Sequence, residues 1–296
     1  MTPSGTENLK ALGRTLVRQI CATSLPGRTR LRRAVAGLLA PANGIEVMRV
    51  GGHTLELDHR ERATRDMAYG AYEVHELAHL RRLIGPGDVV LDVGANVGYM
   101  SAHLAAMVGS RGRVYAFEPA PRAFTFLERV AASGHPGVIR PLRIAVSSRC
   151  GTGEFFETDA ILATGYGRLD ERPSARFQCR VDTVPVTTID AFLEAEGRSP
   201  VSFVKLDVEG QERAAIEGMT RTLARRAPAL LTEITTVGRH LEDLLAYAPV
   251  LLAQGLQPFR IGSALVSVDV TRLPPALHTN LLWLTSDHLQ RMSFRC

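Results

Sequence analysis

The apolar positions along this chain change period several times, and each change marks an element. Ile45 to Val50 and Thr54 to Leu57 alternate around Gly51-Gly52, the pattern of a β-hairpin. Over residues 60–84 the period lengthens to that of a helix, with an interruption at Gly70 just ahead of Tyr72 and Glu73. Short continuous apolar runs follow at Val89–Val93, Arg113–Phe117, Val138–Val146, Val201–Leu206 and Pro228–Ile234. Helical patterns separate them, at Tyr99–Val108, at Arg122–Ala132, after the capping residue Thr188, and over 238–254. Buried strands alternating with helices predict a parallel α/β sheet. Two further strands, Gln257–Ile261 and Leu281–Thr285, suit an antiparallel closing strand.

Two segments depart from this alternation. Residues 147–187 are less regular: Glu154–Glu157 and Phe177–Val186 read as strands around a loop at 158–170. That is a β insertion, and long irregular segments of this kind often close over substrates. At the N-terminus, Leu9, Leu12, Leu16 and Ile20 recur at helical spacing, with Lys10, Arg14 and Arg18 on another face. Pro26-Gly27 breaks that helix, and a second short helix is expected from Arg30 to Leu39. With a boundary at Pro41–Gly44, the chain divides into a basic, mostly helical arm (1–44) and one α/β domain (45–296).

The densest chemistry lies between Asp88 and Pro119. Asp92 sits inside an apolar strand, where a carboxylate is costly without a partner. The turn Gly94-Ala-Asn-Val-Gly98 follows it. Gly94 and Gly98 remove Cβ atoms where a ligand meets the backbone and where a helix begins. Asn96 tolerates left-handed dihedrals and offers an amide. Glu118 closes the second strand, where a carboxylate can take both hydroxyls of a ribose. The dinucleotide fingerprint G-x-G-x-x-G fails, since Asn96 and Tyr99 stand where its second and third glycines would be. A phosphate-binding G-x-x-x-x-G-K-[ST] is absent as well. Carboxylates at both positions suit a cofactor with an ammonium, a ribose and no phosphate, which describes S-adenosylmethionine. Ala145, in the turn after the third strand, is placed to border an adenine. Glu73, just upstream of the first strand, is placed either to meet the ammonium or to lie solvated on a helix.

A second loaded stretch is Lys205-Leu-Asp207-Val-Glu209-Gly210, a strand running into a carboxylate turn. Lys205, Asp207 and Glu209 share one face if the extended period holds. The chain has two lysines against 33 arginines, so a lysine at a strand end stands out. These residues face the crevice beyond the strand ends, as Asp92 does. Asp207 or Glu209 is the candidate general base and Lys205 its orienting partner, unless Lys205 is simply half of a structural ion pair. A divalent ion on Asp207 and Glu233 is an alternative, but no motif assigns a metal ligand. His75 and His79 lie four residues apart, without an acidic partner placed by a motif, and are expected at the surface.

Charge and cysteine content narrow the classes. The net charge is +5, but residues 1–40 carry seven basic side chains against Glu7, so the remaining 256 residues sum to −1. A near-neutral body argues against nucleic acid as partner. The arm reads either as a contact for an anionic membrane surface or as a helix packed on the body with its basic face in water. No apolar stretch reaches transmembrane length. The four cysteines, Cys21, Cys150, Cys179 and Cys296, are scattered without a C-x-x-C pair, which fits a reducing, cytoplasmic setting.

Several stretches together resemble the FkbM family of methyltransferases. They are Tyr72-Glu73, Asp92-Val-Gly-Ala-Asn-Val-Gly98, Phe117-Glu118-Pro119, Val184-Pro-Val-Thr-Thr-Ile-Asp190, Lys205-Leu-Asp-Val-Glu-Gly-Gln-Glu212, Glu233-Ile234 and Asn280-Leu-Leu. The likeness extends over roughly residues 55–285. It implies a Rossmann-like fold with a mostly parallel, seven-stranded sheet and helices on both faces. It also implies S-adenosylmethionine-dependent methyl transfer, usually to a hydroxyl of a natural product, sugar or lipid-linked glycan. Two other classes stay open on the residues alone: a non-catalytic S-adenosylmethionine-binding scaffold and a dinucleotide-dependent oxidoreductase.

Overall fold

The computed structural model describes residues 5–21, 35, 38–158, 167–171, 179–197, 200–236 and 238–294. Strands β1 (Ile45–Val50) and β2 (His53–Asp58) form the hairpin, paired antiparallel from Ile45 opposite Asp58 to Val50 opposite His53. The helical region after it is two helices, Arg62–Ala68 and Val74–Leu83. They part at Gly70, whose φ of 61° is left-handed. Ala71 N–H there closes back onto the Asp66 carbonyl at 2.9 Å.

The main sheet is built on β3 (Val89–Val93), β4 (Arg113–Phe117), β5 (Ile139–Leu142), β10 (Phe203–Leu206) and β11 (Ala229–Thr235). It is completed by β12 (Gln257–Ile261), β13 (Leu265–Ser267) and β14 (His278–Leu284), in the order β13-β12-β14-β11-β10-β3-β4-β5. The five central strands run parallel. β14 enters antiparallel between β11 and β12, and β13 turns back along β12. The sheet thus has eight strands rather than the expected seven, because the three-residue β13 adds an edge too short to show a period. Register fixes the site: Val93 lies opposite both Phe117 and Leu206, so β3, β4 and β10 end level.

Alternate side chains feed two cores, one on each face. Val90, Ala116, Phe203 and Leu282 pack under the helices Val74–Leu83, Tyr99–Val108 and Pro121–Ser133. Leu91, Tyr115, Val204, Leu230 and Trp283 pack against the helices Ile189–Ala195, Glu212–Glu217, Thr220–Arg225 and Arg239–Ala253. Each fully buried leucine contributes roughly 1.5–3 kcal/mol, so two filled faces account for the continuous apolar runs of the central strands.

The apolar run Val138–Val146 is not one strand. It kinks at Arg143-Ile144, and β6 (Ala145–Val146) leaves the main sheet to pair in parallel with β9 (Cys179–Thr187). With β7 (Gly151–Thr158) and β8 (Gly167–Leu169) these form a second sheet in the order β6-β9-β7-β8. This is the expected β insertion, and β8 falls inside the stretch read as a loop. Residues 159–166 and 172–178 of that region lie outside the described residues. Thr188 caps the next helix as anticipated, its hydroxyl accepting from Ala191 N–H at 3.0 Å.

The arm helix, Gly5–Cys21, packs with the opposite face to the expected one. Arg14 and Val17 are buried against the body, whereas Leu9, Leu12 and Leu16 point outward. A carboxylate on the hairpin explains the reversal: Glu46, itself buried, pairs with Arg14 (3.3 Å), Arg18 and His59 (2.8 Å). The break at Pro26-Gly27 and most of the predicted helix Arg30–Leu39 lie outside the described residues. No described helix is long and apolar enough to cross a membrane.

Candidate active site

The turn after β3 is tight for reasons local to its residues. Gly94 has φ of 78°, and a Cβ there would stand 1.8 Å from the Asp207 carbonyl oxygen. Only glycine lets the two strand-end turns touch. Gly94 and Ala95 N–H groups both donate to the Phe117 carbonyl, at 3.0 and 2.9 Å. Asn96 follows with φ of 49°. Gly98 (φ 85°) opens the helix, and a Cβ on it would press on Leu127 and Val130 at 3.1–3.3 Å. Glu118 ties the two turns together: one carboxylate oxygen accepts from Asn96 N–H at 2.7 Å, the other from Ala120 N–H at 2.9 Å. Each oxygen keeps a second lone pair. Burial pushes this carboxyl up to about 7, against the pull of those two N–H groups.

The strand ends, the break before Val74 and the second sheet enclose one cavity. Its lining includes Glu73, Gly94, Asn96, Glu118, Ala145, Lys205, Asp207 and Glu209 among the residues singled out in the sequence. Two that were expected there stand behind the wall instead. Asp92 is fully buried under the turn, accepting from Ser101 Oγ at 2.5 Å, with Lys205 Nζ 3.9 Å from its other oxygen. The partner that makes a carboxylate tolerable in this strand is thus the protein's own lysine and serine. Gly98 also lies outside the lining, its role being the helix start and the contact with Leu127 and Val130.

Glu73 is held in the left-handed region (φ 48°) at the start of its helix, which brings it over the cleft. Its Oε2 is buried without a hydrogen-bond partner, and burial raises the carboxyl to about 8. This is not the solvated helix carboxylate of the alternative reading. Such an orphaned buried oxygen suits a ligand cation.

At the end of β10, Lys205 Nζ holds Asp207 at 2.8 Å. Burial opposes the charge on Asp207, but the lysine outweighs it and leaves the carboxyl below its ordinary value. Asp207, Glu209 and Glu233 can bring ligand atoms within 4.8 Å of one another. Burial and the Asp207 charge push Glu209 up to about 7 and Glu233 to about 9. Three carboxylates this close either share protons or hold a divalent cation; Lys205 already supplies one positive charge beside Asp207. The sequence placed Glu233 at the rim, but not this proximity. It missed His278, which joins the lining from β14 with Nε2 3.1 Å from Glu233 and Nδ1 3.0 Å from Thr235 Oγ1. No local motif marks it, since only the antiparallel register opposite Thr235 brings it there. Tyr72, stacked edge-on with Tyr99 at 5.7 Å, closes the arm side. Of the paired histidines, His75 is exposed as expected, but His79 is buried, with Nε2 2.9 Å from the Gly262 carbonyl.

Residues 92–251 match the methyltransferase FkbM domain, a span that begins in β3 and takes in the turn, the second sheet and β10. The chain is similar to hexuronic acid methyltransferase AglP of Haloferax volcanii, 33% identical over 136 residues, which are 46% of this chain and 52% of that protein. It is also similar to 31-O-demethyl-FK506 methyltransferase FkbM of Streptomyces tacrolimicus, 29% identical over 185 residues, or 54% of this chain and 70% of that one. The aligned region thus spans about half the length of the first relative. Among solved structures, methyltransferase FkbM from Methylobacillus flagellatus superposes with a TM-score of 0.44 at 16% identity, covering 75% of this chain and 53% of that one. The domain match extends over more than half of the chain, and the chain belongs to the FkbM family of methyltransferases.

Proposed function

We infer that this protein binds S-adenosylmethionine and transfers its methyl group to a hydroxyl oxygen of a small-molecule or saccharide acceptor. One observation carries the reading: a single cavity gathers a ribose-competent carboxylate, Glu118, the buried and unpartnered Oε2 of Glu73, and the carboxyls of Asp207, Glu209 and Glu233 around the glycine turn. The names of the two relatives, one acting on a hexuronic acid and one on an oxygen of FK506, support an oxygen acceptor. When bound, the cofactor supplies an electrophilic methyl on a sulfonium sulfur. The residues here fit its polar ends: Glu73 for the ammonium, Glu118 (held in place by Asn96 N–H) for the ribose, and Ala145 with Phe155 and Leu169 along the adenine.

The protein's remaining tasks are alignment, exclusion of water and removal of the acceptor proton. Glu209 is the group suited to the last. Raised to about 7, it is part ionised at neutral pH and basic enough to take a hydroxyl proton as the oxygen attacks. Asp207, pinned by Lys205, orients the acceptor and supplies negative potential beside it. Calorimetric titration with S-adenosylmethionine and S-adenosylhomocysteine, with NAD as control, tests the cofactor assignment. Saturable binding that is lost in Glu118→Ala is expected; heat from NAD alone would overturn it.

A further inference from the structure

We propose that the outward leucine face of the N-terminal helix is a docking surface for an anionic lipid bilayer. Leu9, Leu12 and Leu16 are 70%, 68% and 57% exposed, and their spacing aligns them in one stripe. Over residues 8–20 of that helix, the other exposed positions, Asn8, Ala11, Thr15 and Gln19, carry no charge. Leu38, 75% exposed, belongs to the same arm.

The orientation is fixed by the helix's own basic side chains. Arg14 donates to the Leu39 carbonyl at 2.6 Å and pairs with Glu46 at 3.3 Å. Arg18 donates to the Ala68 carbonyl at 2.5 Å and also reaches Glu46, and Lys10 donates to the Ala40 carbonyl at 3.3 Å. A helix lying on a domain in water turns its apolar face inward and its charges outward. Here the charges anchor it and the leucines are left over.

Size and charge together identify the occupant. The exposed leucines offer on the order of a few hundred Å², short of the roughly 800 Å² a side that a stable dimer buries. Lipid makes no demand for a matching shape, and a leucine stripe of this kind inserts at the headgroup boundary. The next segment, residues 22–34, holds Arg28, Arg30, Arg32 and Arg33 and no carboxylate. In sequence it links the helix to Val35, which packs against Val17 and Tyr69. Four arginines that follow the helix closely in sequence favour an anionic surface over a neutral one. The helix rests on Tyr69 and Ala71, next in sequence to Tyr72 and Glu73 of the cavity wall, so docking brings that wall close to the bilayer.

The test is co-sedimentation of the full chain with phosphatidylcholine vesicles, with and without phosphatidylglycerol, for wild type and for Leu9→Gln/Leu12→Gln/Leu16→Gln. Thermal melting checks that the variant is folded, and sedimentation equilibrium gives the oligomeric state of both proteins. Binding to the phosphatidylglycerol vesicles is expected, weaker by about tenfold or more on neutral vesicles and in the leucine variant. Three outcomes overturn the proposal: no sedimentation of wild type, equal binding by the variant, or a dimer that the leucine substitutions dissociate.

Discussion

At the scale of single residues, the site depends on carboxyls whose proton affinities differ although they lie within a few ångströms. Asp207 is kept ionised by Lys205, Glu233 is kept protonated by burial and by Asp207, and Glu209 falls between them. Glu209→Gln keeps the size and removes the base. Turnover is therefore expected to fall by about 10²–10⁴, the usual worth of a positioned base, while calorimetric affinity for S-adenosylmethionine stays within a few-fold. Unchanged turnover would move the proton to Asp207. Lys205 supports this arrangement from both sides, since it bridges the strand carboxylate Asp92 and the rim carboxylate Asp207. A lysine in a chain of arginines was legible as unusual. That it serves two carboxylates was not, because only the register of β10 on β3 puts it opposite Asp92.

At the scale of elements, the anchoring of the arm comes down to one buried carboxylate. Burial raises the pKa of Glu46, but its hydrogen bond to His59 and the Arg18 and Arg14 charges outweigh that and hold it low. Glu46→Ala leaves Arg14 buried without its partner, at a cost of about 3 kcal/mol. Trypsin is then expected to cut after Arg14 and Arg18 while the α/β body resists. Continued protection would mean that the contact of Val17 with Tyr69 suffices. The arm also shows where sequence reading stops. Its period announces two faces, and only a partner at Glu46 decides which one turns inward. The central strands posed no such ambiguity, because a run apolar on both faces has nowhere to go but between two layers of helices. The glycine turn was equally legible, since carboxylate, glycine and helix start fall together at a strand end. β13 and the closing helix Ser286–Ser293 were not, the first being three residues long and the second largely polar.

For the molecule as a whole, the cavity stores unfavourable ionisation. Glu73, Glu118, Glu209 and Glu233 bind protons more tightly when folded, near 8, 7, 7 and 9, than an unfolded glutamate does at about 4.3. Their contribution is complete below the unfolded value and is lost as pH rises through 7 to 9. Glu46, Asp58 and Asp207 are shifted the other way, so their contribution fades only as pH falls through their lowered values. The ligand-free protein should therefore melt highest in mild acid, with the melting temperature falling steadily above neutrality and less steeply in Glu233→Gln. A flat profile over that range, by differential scanning fluorimetry, would mean that the carboxyls ionise freely against water.

The kink at Arg143-Ile144 has a consequence for how this fold could diversify. Because β6 departs there to join β9, the cavity draws Glu118, Asp207, Glu209 and Glu233 from the strand ends of one sheet and its apolar wall of Ala145, Phe155 and Leu169 from another. The two sheets share no strand. Mutation or insertion elsewhere in the second sheet, away from the three side chains set beside the proposed adenine, can reshape what is admitted without disturbing the glycine turn of the first. Selection for a new acceptor then has an interchangeable part to work on, and a fixed one it can leave alone.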